Sequence, residues 1–291
     1  MHRRLSSLAA SLLGVATLLA ACSSTSGGSG SSGGDPLLSG SPSITTSGPI
    51  QVVIEGDSLA LTLGIGLSGG QSVYNLHILD DGDLGCGVAS GQPIEFQGTP
   101  YTYTYNPTTT NPDPDQPPNC PDWRSIWASN IAVAKPDVVA ILLGRWEIVD
   151  RMHNGQMTNI TDPSYAAYLT TQLDAAVKIC AAKGARVALM TMPYLQPQYG
   201  PGGVQYPETE SSRVNAWNAI VRTVAARYPT WVSLIDLNAM LDPGGTYTST
   251  IGPVTVRESD GAHISIPGGE YLAPKILPLL QRLGTKARQA G

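Results

Sequence analysis

Short apolar runs alternate with longer amphipathic segments along the chain from about residue 50 onward. Apolar, β-branched runs predict strands that are buried on both faces, and segments with apolar positions three and four residues apart predict helices. The predicted strands are residues 51–54, 72–79, 138–143, 186–191 and 232–236, and the predicted helices are 58–67, 123–134, 164–183, 208–228 and 267–283. This alternation predicts one α/β domain whose parallel sheet is covered by helices on both faces.

The first 49 residues lack this alternation and predict a signal segment followed by a tether. Two arginines precede an uncharged apolar stretch that ends in Leu19-Ala20-Ala21-Cys22. A basic start, an apolar middle and small residues before a cleavage point are typical of a secretory signal, and the stretch is shorter than the ~20 residues of a spanning helix. The ending resembles the bacterial lipobox, which implies cleavage after residue 21 and lipid on Cys22. We therefore expect a lipid-anchored protein on the extracytoplasmic face of the bacterial membrane.

Four regions follow from this division of the chain. We expect a lipoprotein signal peptide at 1–21, a flexible Ser/Gly-rich tether at 22–49, the folded domain at 50–284 and a C-terminal tail at 285–291. The segment 87–121 is rich in Pro, Thr, Tyr and Asn and predicts a long loop without regular structure.

The composition excludes some classes of function. Charged residues make up 13% of the chain, with 17 basic and 22 acidic residues and a net charge of −5. Cleavage of the signal removes two arginines and leaves 15 basic and 22 acidic residues, a net charge of −7. Because nucleic-acid binders carry a basic stripe, the charge argues against that partner. No phosphate-binding loop, dinucleotide turn or His/Cys cluster is present, so we expect no cofactor, no metal and a monomer.

The cysteines predict one disulfide. With Cys22 modified by lipid, Cys86, Cys120 and Cys180 remain, and thiols outside the cytoplasm tend to pair. Cys86 and Cys120 flank the long loop-like segment, whereas Cys180 lies on the apolar stripe of a predicted helix. We therefore favour a Cys86–Cys120 disulfide, with Cys180 as a small core residue.

Two segments at the carboxyl ends of strands carry candidate chemistry, because parallel sheets bind ligands at that edge. Gly56-Asp57-Ser58-Leu59 follows the first strand and places a serine at the start of a helix. Far downstream, Asp260 and His263 share one loop before the last helix. A serine nucleophile needs an imidazole to take its proton and a carboxylate to orient that imidazole. The alternative is an ordinary helix cap and a surface histidine, neither of which requires catalysis.

These two blocks together resemble the SGNH (GDSL) hydrolase family over roughly residues 50–284. The resemblance implies a flavodoxin-like three-layer α/β sandwich with about five parallel strands. It also implies that Ser58 is the nucleophile, His263 the general base and Asp260 its orienting carboxylate, with the N–H of Ser58 in the oxyanion hole.

The middle blocks of the family match less well. The glycine that follows the second strand corresponds to Gly85, with Gly87 as the neighbouring candidate. After the third strand the family has Gly-x-Asn-Asp, whereas this chain has Gly144 followed by Arg145, Trp146 and Glu147. Either the indole N–H of Trp146 or the guanidinium of Arg145 replaces the missing asparagine donor, or the activity is weak.

The Gly-x-Trp-Glu form is similar to extracytoplasmic SGNH domains attached to membrane acyltransferases that O-acylate cell-surface glycans. The resemblance implies a serine esterase or O-acyltransferase on O-acyl groups, chiefly acetyl, of envelope glycans. Three tryptophans (Trp123, Trp127 and Trp146) are candidates for a sugar-stacking surface. Two alternatives remain: an esterase or lipase on small acyl or lipid esters, and a non-catalytic glycan-binding lipoprotein.

Overall fold

The computed structural model describes residues 48–101 and 122–290. The strands are β1 (Ile50–Gly56), β2 (Leu76–Gly82), β3 (Ile94–Phe96), β4 (Thr99–Tyr101), β5 (Val138–Leu142), β6 (Asp150–His153), β7 (Gln156–Thr158), β8 (Arg186–Met190), β9 (Val232–Ile235), β10 (Thr250–Ile251) and β11 (Val254–Thr255). The helices are α1 (Ser58–Ser68), α2 (Trp123–Ala134), α3 (Pro163–Ala181), α4 (Ser211–Arg227), α5 (Leu237–Leu241) and α6 (Ile266–Ala290), with 3₁₀ turns at Gln71–Tyr74 and Pro207–Thr209.

Five strands build one parallel sheet in the order β2-β1-β5-β8-β9. Helices α1 and α6 pack together on one face, and α2, α3 and α4 pack on the other. Strand β5 is buried along its whole length, as a strand covered on both faces must be. The predicted three-layer α/β sandwich with five parallel strands is therefore confirmed.

Helices α1 and α6 approach each other closely because glycines meet at their contact. A Cβ added at Gly66 would lie 2.5 Å from the Cα of Gly269, and one added at Gly269 would lie 2.5 Å from the Cα of Gly66. Only glycine permits this separation, so Gly66, which weakens the helix by propensity, is required by packing. The contact places the first turn of α6 beside the last turn of α1, about two helical turns from the candidate nucleophile at Ser58.

A second, antiparallel sheet has the order β4-β3-β6-β7. Strands β3 and β4 belong to the chain after β2, and strands β6 and β7 belong to the chain after β5. Both pairs therefore follow the carboxyl edge of the main sheet. The expectation of an unstructured segment at 87–121 is wrong for residues 94–96 and 99–101. Strands of three residues are too short to produce a recognisable alternation, so the sequence pattern missed them.

Two further boundaries differ from the prediction. Residues 71–74 form a 3₁₀ turn, and the strand predicted at 72–79 starts only at Leu76. The tail expected from residue 285 is helical to Ala290, because Arg288 forms an ion pair of 2.7 Å with Asp137 and donates to the carbonyl of Pro49 at 2.6 Å. These contacts tie the last turn of α6 to the start of the domain.

Several predictions concern residues outside the described ranges. The signal segment, the lipid-modified Cys22, most of the tether and Cys120 are among them, so lipidation and the Cys86–Cys120 disulfide stay predictions. Cys180 is a free, fully buried thiol in α3, as expected of a core residue. Within residues 48–101 and 122–290, none of the helices is both long and apolar enough to cross a membrane.

Candidate active site

Ser58 is the first residue of α1, at a turn that only glycine can start. Gly56 has a φ of +146°, and a Cβ there would lie 1.9 Å from the carbonyl oxygen of Leu142. Asp57 then caps the helix, because its Oδ1 accepts a hydrogen bond from the N–H of Leu59 at 2.8 Å. The N–H of Ser58 donates to no acceptor in the described part of the chain. It is thus available at the positive end of the helix.

His263 connects this serine to a carboxylate. Its Nε2 lies 2.7 Å from Oγ of Ser58, and its Nδ1 forms a short hydrogen bond with Oδ2 of Asp260. Nε2 can therefore accept the serine proton while the carboxylate orients the ring and stabilises its protonated form. The structure brings together all three residues that the sequence singled out.

The loop itself keeps Asp260 ionised. Oδ1 of Asp260 accepts hydrogen bonds from the N–H groups of Ala262 at 2.8 Å and His263 at 3.0 Å. Burial acts to raise the pKa of Asp260, but the hydrogen bonds from the His263 side chain and these two N–H groups outweigh it and hold the pKa below its usual range. The carboxylate is therefore charged wherever His263 works as a base.

A buried ion pair stabilises the loop that carries Asp260 and His263. The sequence pattern did not predict this pair. Arg257 and Asp242 are fully buried and 3.0 Å apart. The Arg257 guanidinium also donates to the carbonyl oxygens of Ala262 at 3.2 Å and Tyr194 at 3.0 Å. It thereby joins the catalytic loop to the chain after β8. The only sequence signal for this pair was an arginine beside the apolar Val256. Its hydrogen-bond acceptors could not be predicted, because Tyr194 and Asp242 belong to distant segments.

Asp57 links the turn after β1 to the turn after β5. Its Oδ2 accepts a hydrogen bond from the N–H of Arg145 at 3.3 Å. Burial raises the pKa of Asp57 to about 6, because its hydrogen bonds only partly offset the loss of water. Asp57 therefore positions both the serine turn and the segment that carries Arg145.

Glu147 is buried between the segment after β2 and the segment after β5. Its Oε1 accepts a hydrogen bond from the N–H of Val88 at 2.7 Å, and a Cβ on Gly87 would lie 2.5 Å from that oxygen. Burial raises the pKa of Glu147 to about 7, and the charge of Asp57 adds to this effect. Glu147 thus holds the loop after β2, in which Gly85 has a left-handed φ of +72°. The assignment of Gly85 or Gly87 to the oxyanion hole stays a prediction.

Arg145 and Trp146 have different environments. The Trp146 indole packs on Phe96, and its Nε1 is buried with no hydrogen-bond partner among the described residues. The expectation that Trp146 donates to the oxyanion stays a prediction, and the burial of its N–H does not favour it. The Arg145 guanidinium instead lies over the Phe96 ring, 5.2 Å from its centroid, and is half-buried.

Three carboxylates contribute negative charge around Arg145. Burial lowers the pKa of Arg145, while the negative charges of Asp260, Asp57 and Glu208 oppose this shift. Arginine remains protonated in proteins, so a positive group lies beside the triad. The assignment of Arg145 as the substitute for the asparagine donor stays a prediction.

The tryptophans pack in the interior, the more common role of this residue, and do not form the candidate sugar-stacking surface. Trp123 and Trp127 are 5% and 4% exposed and pack edge to face in the core. Trp146 is 9% exposed. Their role is packing, because a stacking platform must present a ring face to solvent.

A cavity of about 330 Å³ opens beside the nucleophile. It is lined by Ser58, Thr62, Ile65, Leu84, Glu258, His263, Ile264 and Ile266. Thr62 joins two of its walls, since its hydroxyl donates to the carbonyl of Ser58 at 3.0 Å and accepts from the N–H of Ile264 at 3.4 Å. The triad therefore faces a preformed space.

Solved structures share this architecture. An aryl esterase from M. smegmatis is 14% identical and matches with a TM-score of 0.50, over 80% of this chain and 99% of that one. A carbohydrate acetylesterase from Sinorhizobium meliloti is 15% identical with a TM-score of 0.47, over 80% and 99%. A GDSL-like lipase from Bacteroides thetaiotaomicron is 11% identical with a TM-score of 0.47, over 80% and 88%. No curated protein sequence matches the chain.

The fold, with its serine after the first strand and its Asp-x-x-His loop before the last helix, is that of the SGNH hydrolases. The chain belongs to the family described as "Protein of unknown function (DUF459)", whose model matches residues 117–279. The matched segment includes Arg145, Trp146, Asp260 and His263 but begins after Ser58.

Proposed function

We propose that this protein is a lipid-anchored, extracytoplasmic serine esterase or O-acyltransferase that acts on O-acyl groups of cell-envelope glycans. The observation that carries the proposal is the hydrogen-bonded chain from Ser58 Oγ through His263 to Asp260. Such a chain activates a hydroxyl that is otherwise a weak nucleophile.

The first step acylates the serine. As Ser58 Oγ attacks the ester carbonyl carbon, its proton passes to His263 Nε2 and the carbonyl oxygen becomes an oxyanion. Collapse of this intermediate breaks the bond to the alcohol oxygen, which takes the proton back from His263 Nε2. The products are an acyl-Ser58 ester and the free alcohol. Asp260 stays ionised and stabilises the imidazolium.

The second step releases the acyl group. Water, or a sugar hydroxyl in the case of transfer, loses a proton to His263 Nε2 and attacks the acyl-Ser58 carbonyl. Collapse breaks the bond to Ser58 Oγ, which regains its proton from His263. When water is the acceptor, the product is a carboxylic acid. When a sugar hydroxyl is the acceptor, the product is a new ester of the sugar.

The oxyanion needs donors that are already in place. The free N–H of Ser58, at the N-terminus of α1, supplies one. The Arg145 guanidinium is the second donor in this proposal, since it has no hydrogen-bond partner among the described residues and the negative charges of Asp260 and Asp57 act on it. A positive donor at this position compensates for the absent asparagine.

Two features support an envelope glycan as the acyl carrier. The signal segment and the lipid on Cys22 that the sequence predicts support a location outside the cytoplasm, where acylated glycans are available. One side of the cleft is polar: Gln198 donates to the carbonyl of Asp260 at 3.1 Å, and the nearby Tyr199 side chain is 60% exposed. Amide and phenol groups of this kind suit sugar hydroxyls.

Labelling with a fluorophosphonate tests the mechanism directly. The purified protein should form a covalent adduct at Ser58, and Ser58→Ala should abolish it, while Ser68→Ala at the other end of α1 should label like wild type. Deacylation of purified envelope glycans by wild type, and not by Ser58→Ala, would support the glycan assignment. A folded wild-type protein that binds glycans but neither labels nor hydrolyses any ester would contradict the enzymatic proposal.

A further inference from the structure

The cleft around Ser58 has two chemically different sides. Strand β1, which precedes Ser58, lies between β2 and β5 in the sheet. One side of the cleft is formed by α1, the residues after β2 and the start of α6. The other is formed by the chain after β5 and β8. An ester also has two halves, so each side can receive one of them.

The side next to β2 exposes three apolar side chains, in a cavity that Thr62 and the exposed Glu258 also line. Ile65, Leu84 and Ile266 have exposed fractions of 48%, 47% and 54%, and all three line the cavity that contains Ser58 and His263. They come from three separate segments of the chain. A single exposed apolar side chain is ordinary, but convergence of three on a nucleophile indicates a binding surface.

The side next to β5 is polar and charged. Arg145 lies there with Gln198 and Glu208, and the Glu208 carboxylate accepts a hydrogen bond from the N–H of Gln97 at 2.8 Å. A further hydrogen bond of 2.8 Å joins the side chains of Gln97 and Gln198. Hydrocarbon placed on this side would desolvate charged groups without replacing their hydrogen bonds.

We propose that the apolar side is an acyl-chain subsite and that the acyl group is a hydrocarbon chain longer than acetyl. The inference rests on the proposed esterase function, because in an acylated glycan the sugar is the polar half and the acyl group the apolar half. A volume of about 330 Å³ corresponds to roughly eleven groups of about 30 Å³, the size of a water molecule, so a chain of about six to eight carbons fits and leaves space for solvent. Acetyl alone would leave Ile65 and Leu84 without a partner.

Two ester series test the length and the orientation of the chain. In p-nitrophenyl esters the acyl group is extended from two to twelve carbons, and in alkyl acetates the alcohol is extended over the same range. We expect kcat/KM to rise up to about fourfold for each added CH2 in the acyl series, as burial of one CH2 allows, and to fall beyond about eight carbons. The acetate series should remain nearly flat. A flat acyl series, or a rise confined to the alcohol series, would overturn the proposal.

Substitutions in the cavity test whether the acyl chain binds there. Leu84→Asn removes apolar surface without filling the space, and Ile65→Trp fills it. Each should lower the ratio of hexanoate to acetate kcat/KM by tenfold or more. Val133→Trp, on the exposed face of α2 where Val133 is 82% exposed, is the matched control and should keep the wild-type ratio. An unchanged ratio in folded Leu84→Asn and Ile65→Trp would show that the chain binds elsewhere.

The two proposals can fail separately. If fluorophosphonate labels Ser58 and acetate is hydrolysed, but the acyl series is flat, the subsite is wrong and the esterase stands. If the folded protein neither labels nor hydrolyses any member of either series, the esterase proposal itself is wrong.

Discussion

Ser58 and His263 are 205 positions apart in the chain, yet Oγ of the serine and Nε2 of the histidine are 2.7 Å apart. The parallel sheet makes this possible, because the chain returns to the same edge after every strand. The glycine contact holds α6 against α1, and the N–H of Ile264, in the loop before α6, donates to Oγ1 of Thr62 in α1 at 3.4 Å. The short distance between Ser58 and His263 is thus a consequence of the topology.

Replacing Asp260 with Asn tests the orientation of His263. The amide cannot stabilise the imidazolium and favours the wrong tautomer, so we expect kcat to fall by roughly 10³- to 10⁴-fold with little change in KM. Steady-state kinetics on a p-nitrophenyl ester measures both constants. Asp162→Asn, which keeps the cap of α3, is the control and should be unaffected. Retention of more than a tenth of wild-type kcat by Asp260→Asn would argue against the triad.

Arg145 and Trp146 compete for the role of oxyanion donor, and paired variants separate them. Arg145→Gln should lower kcat by roughly 10²- to 10³-fold, the loss expected for one oxyanion donor, and Arg145→Lys should recover part of it. Trp146→Phe should have a small effect, because Nε1 of Trp146 is buried and Phe retains the packing of the ring on Phe96. A larger loss of kcat in Trp146→Phe than in Arg145→Gln would reverse the assignment.

The buried pair of Arg257 and Asp242 should dominate the stability of the catalytic loop. Asp242→Asn leaves the arginine charge buried without its partner, and we expect a loss of about 3–5 kcal/mol in the free energy of unfolding. Urea unfolding followed by circular dichroism measures it. The half-exposed ion pair of Arg222 with Asp236, 2.9 Å long, is the control. Arg222→Met should cost about 1 kcal/mol or less, and equal losses in both variants would contradict the role given to burial.

Glu55 predicts a dependence of stability on pH. Its side chain is fully buried, Oε2 has no hydrogen-bond partner among the described residues, and burial raises its pKa from 4.5 to about 8. Between these values the folded state binds more protons than the unfolded state, so the contribution of Glu55 to stability is lost as pH rises toward 8. Glu55→Gln should therefore be more stable than wild type at pH 8 and lose this advantage below pH 4.5.

Urea unfolding at a series of pH values checks the Glu55 prediction. Glu270→Gln, at an exposed position on α6, is the control and should follow wild type across the range. A constant difference between Glu55→Gln and wild type at every pH would show that Glu55 does not titrate as expected.

The triad and the main sheet could be predicted because their signals are local. Apolar runs mark the buried strands, and Ser58, Asp260 and His263 lie in short motifs at strand ends. The neighbours of Arg145 could not be predicted in the same way. Phe96 belongs to a strand of three residues, and Glu208 to a 3₁₀ turn, so neither element has a periodic pattern long enough to recognise.

The sequence by itself determined the α/β class, the five parallel strands and the three triad residues, because periodicity and short motifs depend only on neighbouring positions. Tertiary structure alone decided that Trp146 is buried while Arg145 lies near the triad, and that Arg257 is paired with Asp242. It also decided that Ile65, Leu84 and Ile266 form one apolar wall. Each of these outcomes depends on contacts between segments far apart in the chain, and such contacts follow from packing rather than from local pattern.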